Sequence, residues 1–462
     1  MFTHFKRGAK LAALLALVAT SAHAAGVNVS AYVPAYGGTA CNTTPKNYSL
    51  TSTSGDYGLT HDSLGNIYFS DGGKASVCKI GTDGNVVRIA GSGSSGIGAD
   101  NVAGTDSALS YPYNLATDAT GNVYIADGYL ALSIRKVATN GVITSVLNAN
   151  HVSGQEIASG LAVNSPSVNV LSLAVDSSGR VVFVDSGTNA CALWRIELNG
   201  YLTKLGGGGV CMDSGIPGPI ASARFNKVNG IAFDANGNLF MTEASQILMV
   251  DPSLNISSVA GGGSDTGNGV LASTALVTGA YPIAVDPINN VFWGETGSLL
   301  YRKLDRSTGL VATVAGLRGT SAQANGDASI ATFNYPHAMT IMPNGNLYIS
   351  GNEDGIRLIT GAASVLINPP SLSIGGNLIF RTNSTISATT QTAGILTFYQ
   401  NAKAIPTCKN LVIAALAGGT VVCTYKPSVH GTVQIYAKFV SGGQTLSSKP
   451  YAPGVGLRTT HR

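Results

Sequence analysis

A ten-residue phrase recurs along this chain: "DSLGNIYFSD" from Asp62, "DATGNVYIAD" from Asp118, "DSSGRVVFVD" from Asp176, "DANGNLFMTE" from Asp234, "DPINNVFWGE" from Asp286 and "MPNGNLYISG" from Met342. The anchors are spaced by about 56 residues on average, a period that points to a propeller blade. A short apolar strand such as "GIAFD" ends at the anchor, and the anchor, a Gly three residues on and the next Asn make a tight turn into a second strand. A third strand such as "LSIRKV" and a fourth such as "GVITSVL" complete an antiparallel sheet of four. Such a sheet buries its faces only against its neighbours, so the copies must close in a ring. Two copies are degenerate: Met342 replaces the anchor Asp, and "DPINN" lacks the turn Gly.

Composition agrees with an all-β chain. Charged residues are only 11% and glycines number 58, helix-period stripes are scarce, and Val/Ile/Tyr-rich runs alternate with Gly/Asn/Asp turns. The chain starts with Lys6, Arg7 and Lys10, an apolar run from Leu11 to Ala19, and small residues ending in "AHA" at Ala24. This is the layout of a bacterial Sec-type signal peptide, so a periplasmic or secreted protein is expected. Beyond it no run of about 18 apolar residues occurs, and no membrane span is expected. Three of the charges behind the formal +4 leave with the signal. The near-neutral remainder has little to offer a phosphate backbone, which sets nucleic acid aside.

The pattern D-x-x-G-N-[IVL]-[YF] with an acidic residue after it, an I-R-K-V-like third strand, a "VAG" strand end and linkers such as "ANGDASIATFNYP" resembles the NHL repeat, over roughly Tyr57 to Gly361. After Gly361 the pattern stops, Pro369 and Pro370 mark a boundary, and alternating strands including "AGILTFYQN" and "HGTVQIYAKFVSGG" resemble a bacterial Ig-like domain. The resemblances imply an all-β fold: a six-bladed β-propeller of four-stranded blades followed by an Ig-like β-sandwich. The expected division is a signal peptide (1–24), an N-terminal segment closing the last blade (25–54), the propeller (55–362), the sandwich (370–450) and a flexible tail (451–462). Closure follows from the sixth copy, which supplies three strands ending at "GIRLITG", while "VNVSAYVPA" near the mature N-terminus offers a fourth.

The cysteines, Cys41, Cys78, Cys191, Cys211, Cys408 and Cys423, all lie in the exported part, and an even count there favours disulfides. The blade register makes Cys41 with Cys78 and Cys191 with Cys211 plausible partners, and Cys408 with Cys423 would staple the C-terminal region; spacing alone does not prove connectivity. No C-x-x-C and no Cys/His cluster occurs, which argues against a zinc site built on cysteine.

Candidate site residues come from columns of the repeat. Five residues before each anchor, where the inner strand enters the ring, stand Tyr57, Tyr113, Leu171, Asn229, Tyr281 and His337. These side chains are expected around the channel mouth, where an aromatic and polar ring suits sugar or peptide stacking; the competing reading is that the tyrosines brace loops. His61, one residue before its anchor, stands in a mostly apolar column and is expected to pack in the interior. Asp71, Asp127, Asp185, Glu243 and Glu295 end the second strands. They either ring a cation or each lock the loop that follows by accepting backbone N–H groups, and repetition favours the second. "GSGSSG" at Gly91 precedes no helix, so it is no phosphate loop, and neither G-x-S-x-G nor H-E-x-x-H is present.

Two function classes follow. The first is a binding or interaction scaffold for an extracytoplasmic glycan, peptide or protein at the propeller mouth, with no catalytic residue and no required cofactor, calcium or zinc being left open. The second is a lyase or hydrolase built around His337, a class that the NHL resemblance also includes. A single histidine with no evident titratable partner favours binding.

Overall fold

In a computed structural model of the protein, the described residues are 27–33, 41, 58–128, 132–148, 160–165, 169–185, 191–208, 211, 214–351 and 355–362, and then 371–375, 384–390, 394–401, 403–413, 419–426, 431–432, 435–441, 444–447 and 454–455. The expected signal peptide, Tyr57, His151, His430 and the end of the expected tail lie outside them.

Six antiparallel sheets carry the repeat. Their inner strands are Leu59–His61, Pro112–Thr117, Val170–Val175, Val228–Phe233, Ala280–Val285 and Pro336–Ile341. Each packs against the next, and the last packs back against the first. The ring is therefore closed, and the fold is a six-bladed β-propeller.

The anchors explain the phrase. Asp234 Oδ1 accepts from the amides of Asn236 and Asn238 at 2.9 and 2.8 Å, while Oδ2 accepts from Asn238 Nδ2 at 2.7 Å. Asp62, Asp118, Asp176 and Asp286 take the amides two and four residues on in the same way. The third residue past the anchor must turn with positive φ: Gly237 sits at 82°, and in the fifth blade Asn289 takes 68° in place of glycine. Asn344 Oδ1 serves the sixth blade, accepting from Asn346 N at 3.0 Å in the absence of an anchor Asp.

Packing follows from closure. In all six second strands every residue is buried, because each blade is covered on both faces. Among the described residues, an apolar cluster fills each of the six gaps between neighbouring blades. Aromatic side chains such as Phe69, Phe183 and Trp293 sit there fully buried, and burial of each such side chain contributes about 1.5–3 kcal/mol.

Two features extend the four-strand expectation. Four blades gain a fifth, two-residue strand from the linker ahead of them: Val102–Ala103, Gly218–Pro219, Val270–Leu271 and Gly326–Asp327. These pieces cover outer edges that would otherwise present unpaired backbone groups. The Arg of the third strand holds the linker down. Buried Arg135 donates to Ala99 O and Asp100 Oδ1, Arg302 to Gly267 O, and Arg357 to Ala324 O, Thr332 O and Asn325 Oδ1. The long period thus reflects a linker that is itself part of the blade.

Asn28–Val33 forms the fourth strand of the last blade, antiparallel to Gly355–Thr360. Disulfides join Cys41 to Cys78, Cys191 to Cys211 and Cys408 to Cys423. In the C-terminal region, one sheet contains Ser371–Gly375, Ser384–Thr390 and Gly419–Tyr425, and another contains Gly394–Gln400 and Ile435–Ser441. Ile386 and Ala388 of the first share a core with Leu396, Phe398, Ile435 and Ala437 of the second, which is the packing of a β-sandwich.

Candidate functional site at the channel mouth

Side chains alternate along a strand, so every second residue of the inner strands faces the ring axis, in tiers about 6.8 Å apart. The mouth tier contains Tyr113, Leu171, Asn229, Tyr281 and His337, all lining one cavity of about 60 Å³. Its floor is the next tier, Leu59, Leu115, Leu173, Ile231, Ile283 and Met339, all buried. The cavity has room for a few water molecules or one small ligand group, not for a whole ring. Among the described residues that line it, none is Asp, Glu, Lys or Arg.

Ring closure brings opposite blades together here. The hydroxyls of Tyr113 and Tyr281, from the second and fifth blades, hydrogen-bond to one another across the axis. The Tyr281 ring also meets the His337 imidazole edge-on, with centroids 5.3 Å apart. Tyr335 also lies beside His337, its centroid 5.2 Å away. Asn229, only 8% exposed, donates from Nδ2 to Ala280 O at 2.8 Å. That bond fixes the orientation of the amide, and its buried Oδ1 accepts no hydrogen bond.

Tyr335 did not emerge from the sequence columns. It is 41% exposed and holds φ at 55°. Seven residues before its anchor, the fifth blade has the same turn at Gly279, with φ at 63°. A tyrosine in this left-handed region costs roughly 1–2 kcal/mol relative to glycine. The mismatch between Gly279 and Tyr335 in equivalent registers was the available sequence signal.

The acidic column differs from its expected role in detail. Asp71 Oδ1 does accept from Lys74 N in the loop that follows it. Asp127 Oδ1, however, accepts from Ser110 N and Tyr111 N, and Glu243 Oε1 from Asn226 N, each reaching the segment that leads into the inner strand. The end of the second strand lies beside that segment, and its amides find their acceptors in these carboxylates. Glu295 takes Trp293 Nε1, Thr278 Oγ1 and Ser298 Oγ, and lies 3.6 Å from buried Arg302. Burial pushes the Asp127 carboxyl up to about 6, against the opposing pull of the Tyr111 and Ser110 amides and of Arg135. Among the described residues, no three His, Cys, Asp or Glu side chains converge as metal ligands do.

His61 is corrected too. It is half-buried, and its Nδ1 hydrogen-bonds to Thr340 Oγ1 of the last blade at 2.8 Å, so it ties the first and last blades together rather than packing as an apolar residue. Burial holds its pKa below the ordinary histidine value, with Asp62 opposing.

No protein-family model matches the chain, and no curated protein matches it. Solved structures do match. A protein of unknown function from Bacteroides thetaiotaomicron VPI-5482 is 18% identical, with 72% of this chain and 76% of that chain covered at a TM-score of 0.51. An auxiliary nutrient binding protein from the same organism is 15% identical, with 72% and 76% covered at 0.51. Another auxiliary nutrient binding protein, from Bacteroides ovatus ATCC 8483, is 13% identical, with 73% and 77% covered at 0.50. What is shared is the propeller. At these identities the likeness is one of fold alone. Among the described residues no helix is long and apolar enough to cross a membrane, and three disulfides fit an oxidising compartment.

Proposed function

We propose that this chain is an exported NHL-type propeller that acts as a binding scaffold, taking an extracytoplasmic glycan, peptide or protein at the channel mouth through Tyr57, Tyr113, Asn229, Tyr281 and His337. Residues 1–24 are its signal peptide, and residues 370–450 form an Ig-like sandwich that serves as spacer or second contact. The observation that carries the reading is the convergence of two tyrosines, an asparagine and a histidine on one uncharged cavity. The naming of two propellers of this fold as nutrient binding proteins accords with it. A lyase or hydrolase would need His337 to work with a second titratable group or a bound metal; among the described residues lining the cavity there is no carboxylate or thiol, and the phenols of Tyr113 and Tyr281 are bonded to each other.

The test is calorimetric binding of oligosaccharide and peptide panels to the full exported chain, with and without chelator, while the same mixtures are followed for product by mass spectrometry. The expected outcome is saturable, chelator-insensitive binding without turnover, weakened in His337→Ala. Product formation that disappears in His337→Ala would overturn the reading in favour of a lyase or hydrolase.

A further inference from the structure

The mouth carries a more specific assignment, which rests on the binding reading above. We propose that it takes the uncharged end of a saccharide, with a sugar ring stacked on Tyr335 and a hydroxyl donated to Asn229 Oδ1.

Asn229 states what kind of atom must arrive. Asn229 lines the cavity; its Nδ2 is committed to Ala280 O, and its Oδ1 is buried with no hydrogen bond, so a donor reaches it when the side chain yields to the ligand. A buried acceptor left open is costly, and the group that relieves it must donate a hydrogen, as a hydroxyl or an N–H does. An aliphatic ligand would leave that cost in place.

The lining states what charge must not arrive. With no Asp, Glu, Lys or Arg among the described residues around the cavity, an ammonium entering it would lose its hydration without an ionic partner, and a carboxylate would meet only the His337 imidazole. That disfavours the charged terminus of a peptide and the carboxylate of an acidic sugar. The volume of about 60 Å³ admits a hydroxymethyl-sized group and keeps the rest of the ligand outside. A chain that enters by a neutral, hydroxyl-bearing end and presents flat apolar ring faces behind it is a saccharide.

Tyr335 supplies the surface for that ring. It is exposed, it flanks His337 at the mouth, and its backbone occupies a conformation that Gly279 adopts without strain in the neighbouring blade. Strain retained at a position where glycine would be at ease marks a side chain kept for its contacts. An aromatic face beside a polar, uncharged hole is suited to a sugar, whose C–H face packs on the ring while its hydroxyls point into the hole.

The experiment uses the full exported chain and two variants, Tyr335→Gly and Asn229→Ala. Calorimetry with cellotriose, maltotriose, mannotriose, xylotriose and N,N′,N″-triacetylchitotriose is set against trigalacturonic acid and a tripeptide capped at both ends. Binding of at least one neutral trisaccharide is expected, weakened about tenfold or more in each variant. Tyr335→Gly should unfold at the same temperature as the parent or higher, because glycine relieves the strain. A clearly lower unfolding temperature would make Tyr335 a brace and overturn its role, leaving Asn229→Ala to test the acceptor. Binding of trigalacturonic acid or the capped tripeptide, with no neutral trisaccharide bound and with loss in both variants, would overturn the saccharide assignment while leaving the mouth as a binding site. Neutral trisaccharides that bind both variants as tightly as the parent would overturn the mouth reading itself, and binding of none of the probes would overturn the assignment.

Discussion

Two columns of the repeat, one on the inner strands and one at the end of the second strands, lie close together in the second to fifth blades and behave differently. The second-strand column repeats its chemistry, with Asp71, Asp127, Asp185, Glu243 and Glu295, and the partners identified for it are local: loop amides, neighbouring hydroxyls and Arg302. The mouth column does not repeat. Among Tyr113, Leu171, Asn229, Tyr281 and His337, only the tyrosine recurs, and Asn229 retains an unused acceptor. A ring scaffold needs the same bond in each blade, whereas a ligand meets all blades at once and needs them to differ. Repetition therefore marks support, and departure from repetition marks the place to look for recognition.

The strongest attempt to break that division is Glu295→Ala. It strips partners from Trp293, Thr278 and Ser298 and leaves the fully buried guanidinium of Arg302 without its carboxylate. A loss of about 3 kcal/mol or more is expected in urea unfolding, with ligand capture unchanged below the transition. Capture lost with stability intact would erase the distinction between the columns.

Asp127→Asn sharpens the comparison within the acidic column. The folded-state pKa near 6 lies above the ordinary carboxyl value of 3.8, so between about pH 4 and pH 6 the folded state holds more of this proton than the unfolded state does. The group therefore costs stability as pH rises through that window, by up to about 3 kcal/mol above it. The variant should be indistinguishable from the parent, or slightly less stable, near pH 4 and should gain on it up to pH 7. A difference that does not change with pH would show that Asp127 carries no such penalty.

The smallest effect tests the turns. Gly237 sits at φ 82°, and an added Cβ would meet nothing closer than Pro252 Cγ at 3.8 Å, so Gly237→Ala isolates backbone strain from crowding. A loss of about 1–2 kcal/mol is expected from the chemical-denaturation midpoint. Near-neutrality would mean that the repeated glycine is not what holds the turn.

The reading from sequence succeeded where the controlling interaction spans a few residues. The anchor Asp, the turn Gly and the alternating second strand are all recognisable within one copy, and Asn289 replaces glycine at the same φ-positive position without breaking the blade. It fell short where the deciding feature lies beyond the local turn. His61 looked apolar from its column because Thr340, its hydrogen-bond partner, is 279 residues away. Asp127 and Glu243, unlike Asp71, were assigned to the wrong loop because Ser110 and Asn226 reach them only after the strand between has folded back. Tyr335 was passed over because a positive φ leaves no mark on a tyrosine in the sequence, except through the glycine at the same register one blade earlier.

What was legible in the chain before folding is thus the number of blades, their turns and the need for closure, since each copy encodes its own short-range hydrogen bonds and its own alternation of apolar residues. What closure alone brought about is the mouth. Tyr113 and Tyr281, 168 residues apart, meet only because the second and fifth blades of a six-membered ring face each other. The buried, unsatisfied oxygen of Asn229 and the strained backbone of Tyr335 likewise exist only in the assembled ring, because burial and strain are properties of a surrounding that no single repeat contains.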